Sequence, residues 1–231
     1  MIEDREQRQQ MNTARLEEHL RSVPHQVLSA VGDISDVLFR LIQDNQIDLL
    51  VLGTQGRTDL PKLLMGSVAE IIFRYSPIPV LTIGPFVPRE RKVNHFSRIV
   101  FATDFSEESV AALPHATALV QDLGTDFTVL HVLDGTSTGT VDFESSADHA
   151  LRQMREPIPI DPEVGTYPTY AVEFGPFADQ IRRFSEERAA DVIVLGVRPA
   201  RGRLGIATHL ARRTAQHIVG DATCPVLTVR G

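Results

Sequence analysis

Two stretches of the chain repeat each other, and this repeat limits the possible folds more than any other feature. Residues 32–53, which end in Asp-Leu-Leu-Val-Leu-Gly, align with residues 175–196, which end in Asp-Val-Ile-Val-Leu-Gly, at a constant offset of 143. A Pro-Val-Leu-Thr segment occurs at 79–82 and again at 225–228, an offset of 146. The second copy therefore carries three extra residues in the loop between these segments. The repeat predicts two units of the same fold.

The stretch Asp48–Gly84 indicates what that fold is. Leu49–Leu52 is a continuous apolar run, which is typical of a parallel strand covered on both faces. A glycine-containing loop follows, then a helix from Val68 to about Tyr75, and then a second apolar strand, Val80–Ile83. Strands that alternate with helices predict an α/β fold with open, mainly parallel sheets flanked by helices.

Three glycines and a serine in the loop have the spacing Gly-x2-Gly-x9-Gly-Ser. Gly53 and Gly56 allow a sharp turn and a close approach of an anion to the backbone, at the strand end where α/β proteins bind ligands. Gly66 and Ser67 open the helix, whose free N–H groups and dipole favour a phosphate. The pattern favours phosphate binding, and the alternative is a tight strand–helix connection without a ligand.

The segment from Gly53-Thr-Gln-Gly56-Arg57 through Met65-Gly66-Ser67-Val68 resembles the ATP-binding signature of the universal stress proteins. The resemblance implies a nucleotide α-hydrolase-like fold and binding of ATP, accompanied by Mg²⁺. The binding residues that it implies are Gly53, Thr54, Gly56, Arg57, Gly66, Ser67 and Val68. It also implies two weaker candidates in the second unit, Asp104 and Val132, because the aspartate after the first strand contacts the adenine end of ATP in this family.

The second copy has lost the phosphate signature. Pro199 stands at the position of Gly56, and Arg212-Arg213 replace Gly66-Ser67. Proline removes an N–H donor, and an arginine side chain blocks a close backbone approach. The loop instead carries arginines that can bind an anion or form a solvated or domain-facing basic surface: Arg198, Arg201, Arg203, Arg212 and Arg213.

The first copy is incomplete. Nothing in it matches residues 97–143, so it lacks the first strand, the first helix and the second strand. We expect a partial domain at 1–86, a linker at 87–96, and a complete five-stranded domain at 97–231. The family order 3-2-1-4-5 leaves the predicted strand His25–Val31 without a neighbour. We considered a truncated longer protein, a second chain that completes the sheet, and a strand that moves beside Ile47–Leu52. We favour truncation as the origin and a reduced three-stranded sheet, leaning on the second domain, as the structural outcome.

Local patterns predict the remaining elements. Helices are expected at about 3–23, 33–45, 106–122, 144–155, 177–188 and 210–219, and Asp33 or Ser35 and Ser106 are candidate N-caps. Strands are expected at 98–103, 126–133, 169–174, 191–195 and 225–229.

Composition excludes several classes of function. A net charge of −7 and a pI near 5.6 argue against a nucleic-acid-binding surface. The apolar runs are too short to span a membrane, and the polar N-terminus has no signal-peptide core. One cysteine, Cys224, excludes an intrachain disulfide, so a cytoplasmic protein is expected. The eight histidines have no metal-ligand spacing, and His131 is interpreted as a packed core residue.

We therefore expect an ATP-binding stress-response module rather than an enzyme, although slow ATP hydrolysis remains a weaker alternative. The second hypothesis is a protein of the same family that binds no nucleotide and acts through dimerisation. The resemblance implies that the last strands, Val80–Ile83 and Val226–Val229, pair within the chain as a pseudo-dimer. A homodimer is a further hypothesis.

Overall fold

The computed structural model describes most of the chain. The described residues are 2–54, 69, 71–72, 75–88, 95–120, 124–133, 143–155, 167–198 and 215–231. The helices are α1 (Ile2–His19), α2 (Ile34–Asp44), α3 (Glu107–Ala118), α4 (Phe143–Arg155) and α5 (Phe177–Glu187), and residues 215–221 are also helical. The strands are β1 (Leu50–Gly53), β2 (Val80–Ile83), β3 (Arg98–Thr103), β4 (Asp126–Leu133), β5 (Thr169–Phe174), β6 (Val192–Val197) and β7 (Val226–Arg230).

The strands form one seven-stranded sheet in the order β1-β2-β7-β6-β3-β4-β5. Every neighbouring pair is parallel except β2 and β7, which run antiparallel with Leu81 opposite Leu227. These are the two strands for which the sequence predicts pairing. The β2–β7 ladder joins the first unit (residues 1–86) to the second unit (residues 97–231) in a continuous sheet.

The second unit contributes five of the seven strands of the described sheet. Its five strands follow the order β5-β4-β3-β6-β7, which is the 3-2-1-4-5 order that the resemblance implies. Apolar side chains alternate between its two faces, so each face builds its own core. One core lies against α5 and residues 215–221, and the other lies against α3 and α4. β3, β4 and β6 are buried along almost their whole length, as expected for strands covered on both sides.

The repeat is preserved in the backbone geometry of both units. Gly32 and Gly175, which are 143 residues apart, have positive φ angles of 150° and 134°. At the other end of the following helix, Gln46 and Ala189 both take the left-handed conformation, with φ angles of 52° and 49°. These positions confirm that the alignment read from the sequence is a structural one.

Both predicted caps that the structure describes are present. The Asp33 side chain accepts hydrogen bonds from the amides of Ser35 and Asp36 at the start of α2. The Ser35 side chain and these amides lower the pKa of Asp33. The Ser106 hydroxyl accepts from the Ser109 amide at the start of α3. α3 continues through Pro114 and ends at Ala118, before the predicted end at 122.

The predicted strand His25–Val31 is wrong, and so is the three-stranded sheet that it would create. Residues 24–31 form no helix or strand, and the first unit contributes only β1 and β2 to the described sheet. A strand needs a partner for its backbone groups, and the neighbouring strand in the repeat has no counterpart here. The predicted N-terminal helix is present as α1, but its apolar side chains Met11 and Leu16 are exposed.

Candidate functional site

The turn after β3 is fixed by short-range hydrogen bonds. The Thr103 hydroxyl accepts a hydrogen bond from the Phe105 amide at 3.1 Å and lies 3.0 Å from the Ser109 hydroxyl. Phe105 has a positive φ of 60°, which bulky residues rarely adopt. Strained backbone of this kind is concentrated at functional sites. The turn therefore holds Asp104 in a defined position at the carboxyl end of β3.

Asp104 carries a stabilised negative charge. Partial burial raises the pKa of this carboxyl group, but hydrogen bonds from the hydroxyl and amide of Ser106 and from Ser109 outweigh that effect. Together they hold the pKa of Asp104 below its ordinary 3.8. The carboxylate is ionised at neutral pH while its residue stays exposed to solvent. It is therefore available to accept hydrogen bonds from a ligand.

His131 supports this turn from β4. Its Nδ1 atom donates a hydrogen bond to the Thr103 carbonyl at 2.8 Å, and its ring lies 4.4 Å from the Phe105 ring between centroids. Burial lowers the pKa of His131, although the Thr103 carbonyl and the charge of Asp104 oppose this. The imidazole is therefore neutral at pH 7, in agreement with the prediction of a packed core histidine.

A cavity of about 280 Å³ opens at the carboxyl ends of β3, β4 and β6. Its walls are mostly apolar, and four polar residues, Thr103, Asp104, Ser109 and Arg198, lie on its lining. The apolar wall is formed by Ala102, Leu130, Val132, Leu195, Phe177, Ile181, Ala215 and Ile218. An apolar cavity with a few polar groups at the strand ends is typical of a small-molecule site.

Arg198 and Gly196 define one side of the cavity. The Arg198 guanidinium lies 3.6 Å from the Glu108 carboxylate, and its side chain is half exposed. Gly196 is required by close packing, because a Cβ atom there would lie 2.3 Å from the Glu108 carbonyl oxygen. At the equivalent Gly53 no described atom lies within 4 Å of such a Cβ. Among the described residues, the first unit has no counterpart of α3.

The structure separates the described residues of the phosphate signature, Gly53 and Thr54, from the candidate residues of the second unit. β2 is antiparallel to β7. The carboxyl ends of β1 and β2 therefore point in the opposite direction from those of β3, β4 and β6 and lie on the other side of the sheet along the strand axis. Gly53 and Thr54 therefore lie at the strand ends that are remote from the cavity. The Thr54 amide and hydroxyl both donate to the Ile83 carbonyl, at 3.1 and 3.4 Å.

The other predicted residues divide between the described and the remaining part of the chain. Asp104 and Val132 both line the cavity, so the structure brings these two together. The rest of the predicted phosphate site lies outside the described residues: Gly56, Arg57, Gly66, Ser67 and Val68.

Comparison with known proteins identifies the family. The family model described as "Universal stress protein family" matches residues 1–84 and 95–230. The chain belongs to the universal stress protein family.

Curated relatives and solved structures give the same result. Universal stress protein G of Shigella flexneri is 31% identical over 143 residues, which cover 57% of this chain and 93% of that protein. Universal stress protein G of Salmonella typhimurium is 33% identical over 144 residues, with the same two coverages. A universal stress protein structure from Archaeoglobus fulgidus has a TM-score of 0.71 at 19% identity and covers 99% of this chain and 78% of that chain. This similarity confirms the fold.

The sequence of this universal stress protein did not predict most residues of the cavity wall. Phe177, Ile181 and Ile218 lie at apolar positions of helices that also build the core, so nothing in the sequence marks them as lining a cavity. Arg198 was included only as one of five loop arginines. Its position just after β6 is the signal that would have separated it from the others, since β6 ends at the cavity.

The described residues of this universal stress protein contain neither a membrane-spanning helix nor a metal site. None of the described helices is both long and apolar enough to cross a membrane. Within the same residues, no group of three histidine, cysteine or carboxylate side chains has a geometry that could hold a metal ion.

Proposed function

We propose that this universal stress protein is an adenine-nucleotide-binding stress-response module and that the second unit receives the nucleoside end of the ligand. The observation that carries the proposal is the cavity beside Asp104, at the strand ends where α/β sheets bind ligands. We assign a binding role rather than a catalytic one, in the cytoplasm.

The size and lining of the cavity support a nucleoside. Ligand pockets commonly measure about 300–1,000 Å³, and this one, at about 280 Å³, suits a base with its ribose rather than a whole triphosphate. The apolar side chains of Val132 and Phe177 line the cavity and can contact a flat, weakly polar base. The ionised Asp104 accepts hydrogen bonds from hydroxyl or amino groups, which a ribose and an adenine both offer.

The phosphates of such a ligand would extend past the polar end of the cavity. Among the described residues, Arg198 is the cation best placed to contact these phosphates, because it lines the cavity and its side chain is half exposed. A guanidinium pairs well with phosphate oxygens. Mg²⁺ would arrive bound to the phosphates, and the proposal requires no protein metal site for it.

The signature loop of the first unit would act, if it binds ATP, as an independent site. Gly53 and Thr54, the described residues at the start of that loop, lie at the opposite end of the strands from Asp104, so these residues and Asp104 do not contact one ligand. The predicted roles of Gly56, Arg57, Gly66, Ser67 and Val68 stay predictions.

A second candidate function is that of an interaction protein that binds no nucleotide. The β2–β7 ladder favours this alternative. It pairs two strands that could each bind a separate chain, and so forms a pseudo-dimer within one chain. A homodimer built on other surfaces belongs to this alternative.

Isothermal titration calorimetry separates these functions. We would titrate ATP and adenosine into the parent chain and into Asp104→Ala, Gly66→Arg and the exposed control Asp148→Ala. We expect both ligands to bind the parent, and we expect Asp104→Ala to weaken binding at least tenfold. Gly66→Arg and Asp148→Ala should bind like the parent.

The opposite results are equally informative. A parent chain that binds neither ligand would reject the nucleotide proposal and leave the interaction protein. Loss of binding in Gly66→Arg, with normal binding in Asp104→Ala, would move the site to the first unit.

A further inference from the structure

A second cavity lies between α4 and the carboxyl end of β4. It measures about 510 Å³, and we call it the α4 groove. Val132 lines the cavity beside Asp104, whereas the residues on either side of it, His131 and Leu133, line the α4 groove. Adjacent side chains of a strand point to opposite faces of the sheet. The α4 groove and the cavity beside Asp104 therefore lie on different faces.

One stripe of α4 supplies the polar side chains of the α4 groove. The stripe repeats at spacings of three and four residues, which places its members side by side on one helix face. On the same helix, Leu151 and Met154 pack in the core and hold α4 against the sheet. The polar members of the stripe that line the groove are Ser145, Ser146, His149, Arg152 and Gln153.

Arg152 gives the α4 groove a positive charge. None of the described residues that line the groove is a carboxylate. Within the described part of the chain, the side chains of Arg152 and His149 form no hydrogen bond or ion pair. A guanidinium binds a carboxylate through two parallel hydrogen bonds, and the Ser146 hydroxyl and the His149 ring can donate further ones. This end of the groove therefore suits an oxyanion.

His131 supplies an acceptor deeper in the α4 groove. The residue is only 8% exposed, and its Nδ1 atom donates to the Thr103 carbonyl. The neutral ring therefore carries its lone pair on Nε2. No donor from the described residues contacts Nε2. A ligand hydroxyl group that donates to this atom would satisfy an acceptor that water reaches poorly.

Apolar side chains lie on the same lining as these polar groups. Phe105, Leu133 and Ala150 also line the α4 groove. The Phe105 ring is held by its contact with the His131 ring, at 4.4 Å between centroids. Apolar surface with a few polar groups is typical of a site that binds a small organic molecule.

We propose that the α4 groove binds a small organic acid that carries a hydroxyl group. Its carboxylate contacts Arg152, with Ser146 and His149 as further donors, and its hydroxyl group donates to Nε2 of His131. Its apolar body lies against Phe105. A single carboxylate is assigned because Arg152 is the one permanently charged group among the described lining residues. This site does not depend on the nucleotide proposal, because it shares no residue with the cavity beside Asp104.

NMR titration of the full chain tests the proposal with para-hydroxyphenylacetate as the probe. We expect saturable binding, with shifts of the His131 and His149 ring resonances. Phenylacetate, which lacks the hydroxyl group, should bind about fivefold more weakly, as expected for the loss of one hydrogen bond. Tyrosol, in which an alcohol replaces the carboxylate, should bind about tenfold more weakly, because it offers Arg152 no charge.

Variants of α4 locate the probe. Arg152→Ala should weaken binding of para-hydroxyphenylacetate by about tenfold, because a hydrogen bond to a charged group is lost, and Ser146→Ala should weaken it by a smaller factor. The matched control is Arg155→Ala. Arg155 is exposed on the same helix, but its guanidinium lies over the Tyr170 ring, 5.7 Å from the centroid, and does not line the groove. Arg155→Ala should bind the probe like the parent.

Four results would overturn the proposal. The first is absence of saturable binding by para-hydroxyphenylacetate. The second is equal binding by the parent and Arg152→Ala. The third is loss of binding in Asp104→Ala, which would place the probe in the cavity on the other face. The fourth is tighter binding of phenyl phosphate than of para-hydroxyphenylacetate, which would make a phosphate ester the ligand instead of a carboxylic acid.

Discussion

At the scale of single residues, the repeat supplies matched positions with different surroundings. The buried Asp191 carboxylate accepts hydrogen bonds from the amides of Ser97 and Arg98, both at 2.9 Å, and so ties the start of β3 to β6. Asp48 occupies the same repeat position but is exposed. The same residue is therefore structural in one unit and solvated in the other.

We expect Asp191→Ala to lower the free energy of unfolding by about 1–3 kcal/mol, because it leaves two partly buried amide donors without their charged acceptor. Asp48→Ala should change it by less than about 0.5 kcal/mol, as is usual for surface positions. Urea denaturation of both variants and the parent checks this. Equal losses in the two variants would contradict the role assigned to Asp191.

His131 gives the expected pH dependence. The unfolded chain protonates this histidine near its ordinary pKa of 6.5, whereas the native state does so only at a lower pH because burial lowers the pKa. The unfolded state therefore binds more protons, and stability falls as the pH drops below about 6.5. His131→Gln keeps a donor for the Thr103 carbonyl and cannot titrate, so its stability should fall less between pH 7.5 and 5. An unchanged slope in urea denaturation would contradict this.

At the scale of elements, local sequence predicted most of the second unit because its patterns and its tertiary contacts agree. β3, β4 and β5 begin and end near the predicted residues, and Ser106 caps α3 as its sequence indicates. His25–Val31 failed because strand formation depends on a partner that local residues do not reveal. The cavity wall was missed for a related reason, since Phe177 and Ile181 have the pattern of core residues.

The packing of α3 on β6 is the contact between elements that most clearly distinguishes the second unit from the first. Gly196→Ala should lower the free energy of unfolding by about 1–3 kcal/mol, because the added methyl group meets the α3 backbone. Gly53→Ala should cost much less, since no described atom lies within 4 Å of a Cβ atom placed there. Thermal unfolding of the two variants checks this, and a larger loss in Gly53→Ala would show that another segment fills the space beside Gly53.

At the scale of the whole molecule, one antiparallel ladder determines how the units relate. The family resemblance implies that β2 and β7 pair, and the pairing has a consequence that the repeat alone does not reveal. The carboxyl ends of the strands in the two units point in opposite directions within a single sheet. Asp104 and Gly53, the described glycine of the signature, therefore lie far apart, although the resemblance assigns both to the same kind of ligand.

The most direct test of the account is to locate the adenine end of a bound nucleotide. After irradiation with 8-azido-ATP, proteolysis and mass spectrometry identify the labelled peptide, with excess ATP as the competitor. The account predicts labelling that ATP suppresses, in peptides from the cavity elements, β3, β4 and α5. Labelling confined to the peptide that contains residues 50–84 would contradict the assignment of the nucleoside to the second unit.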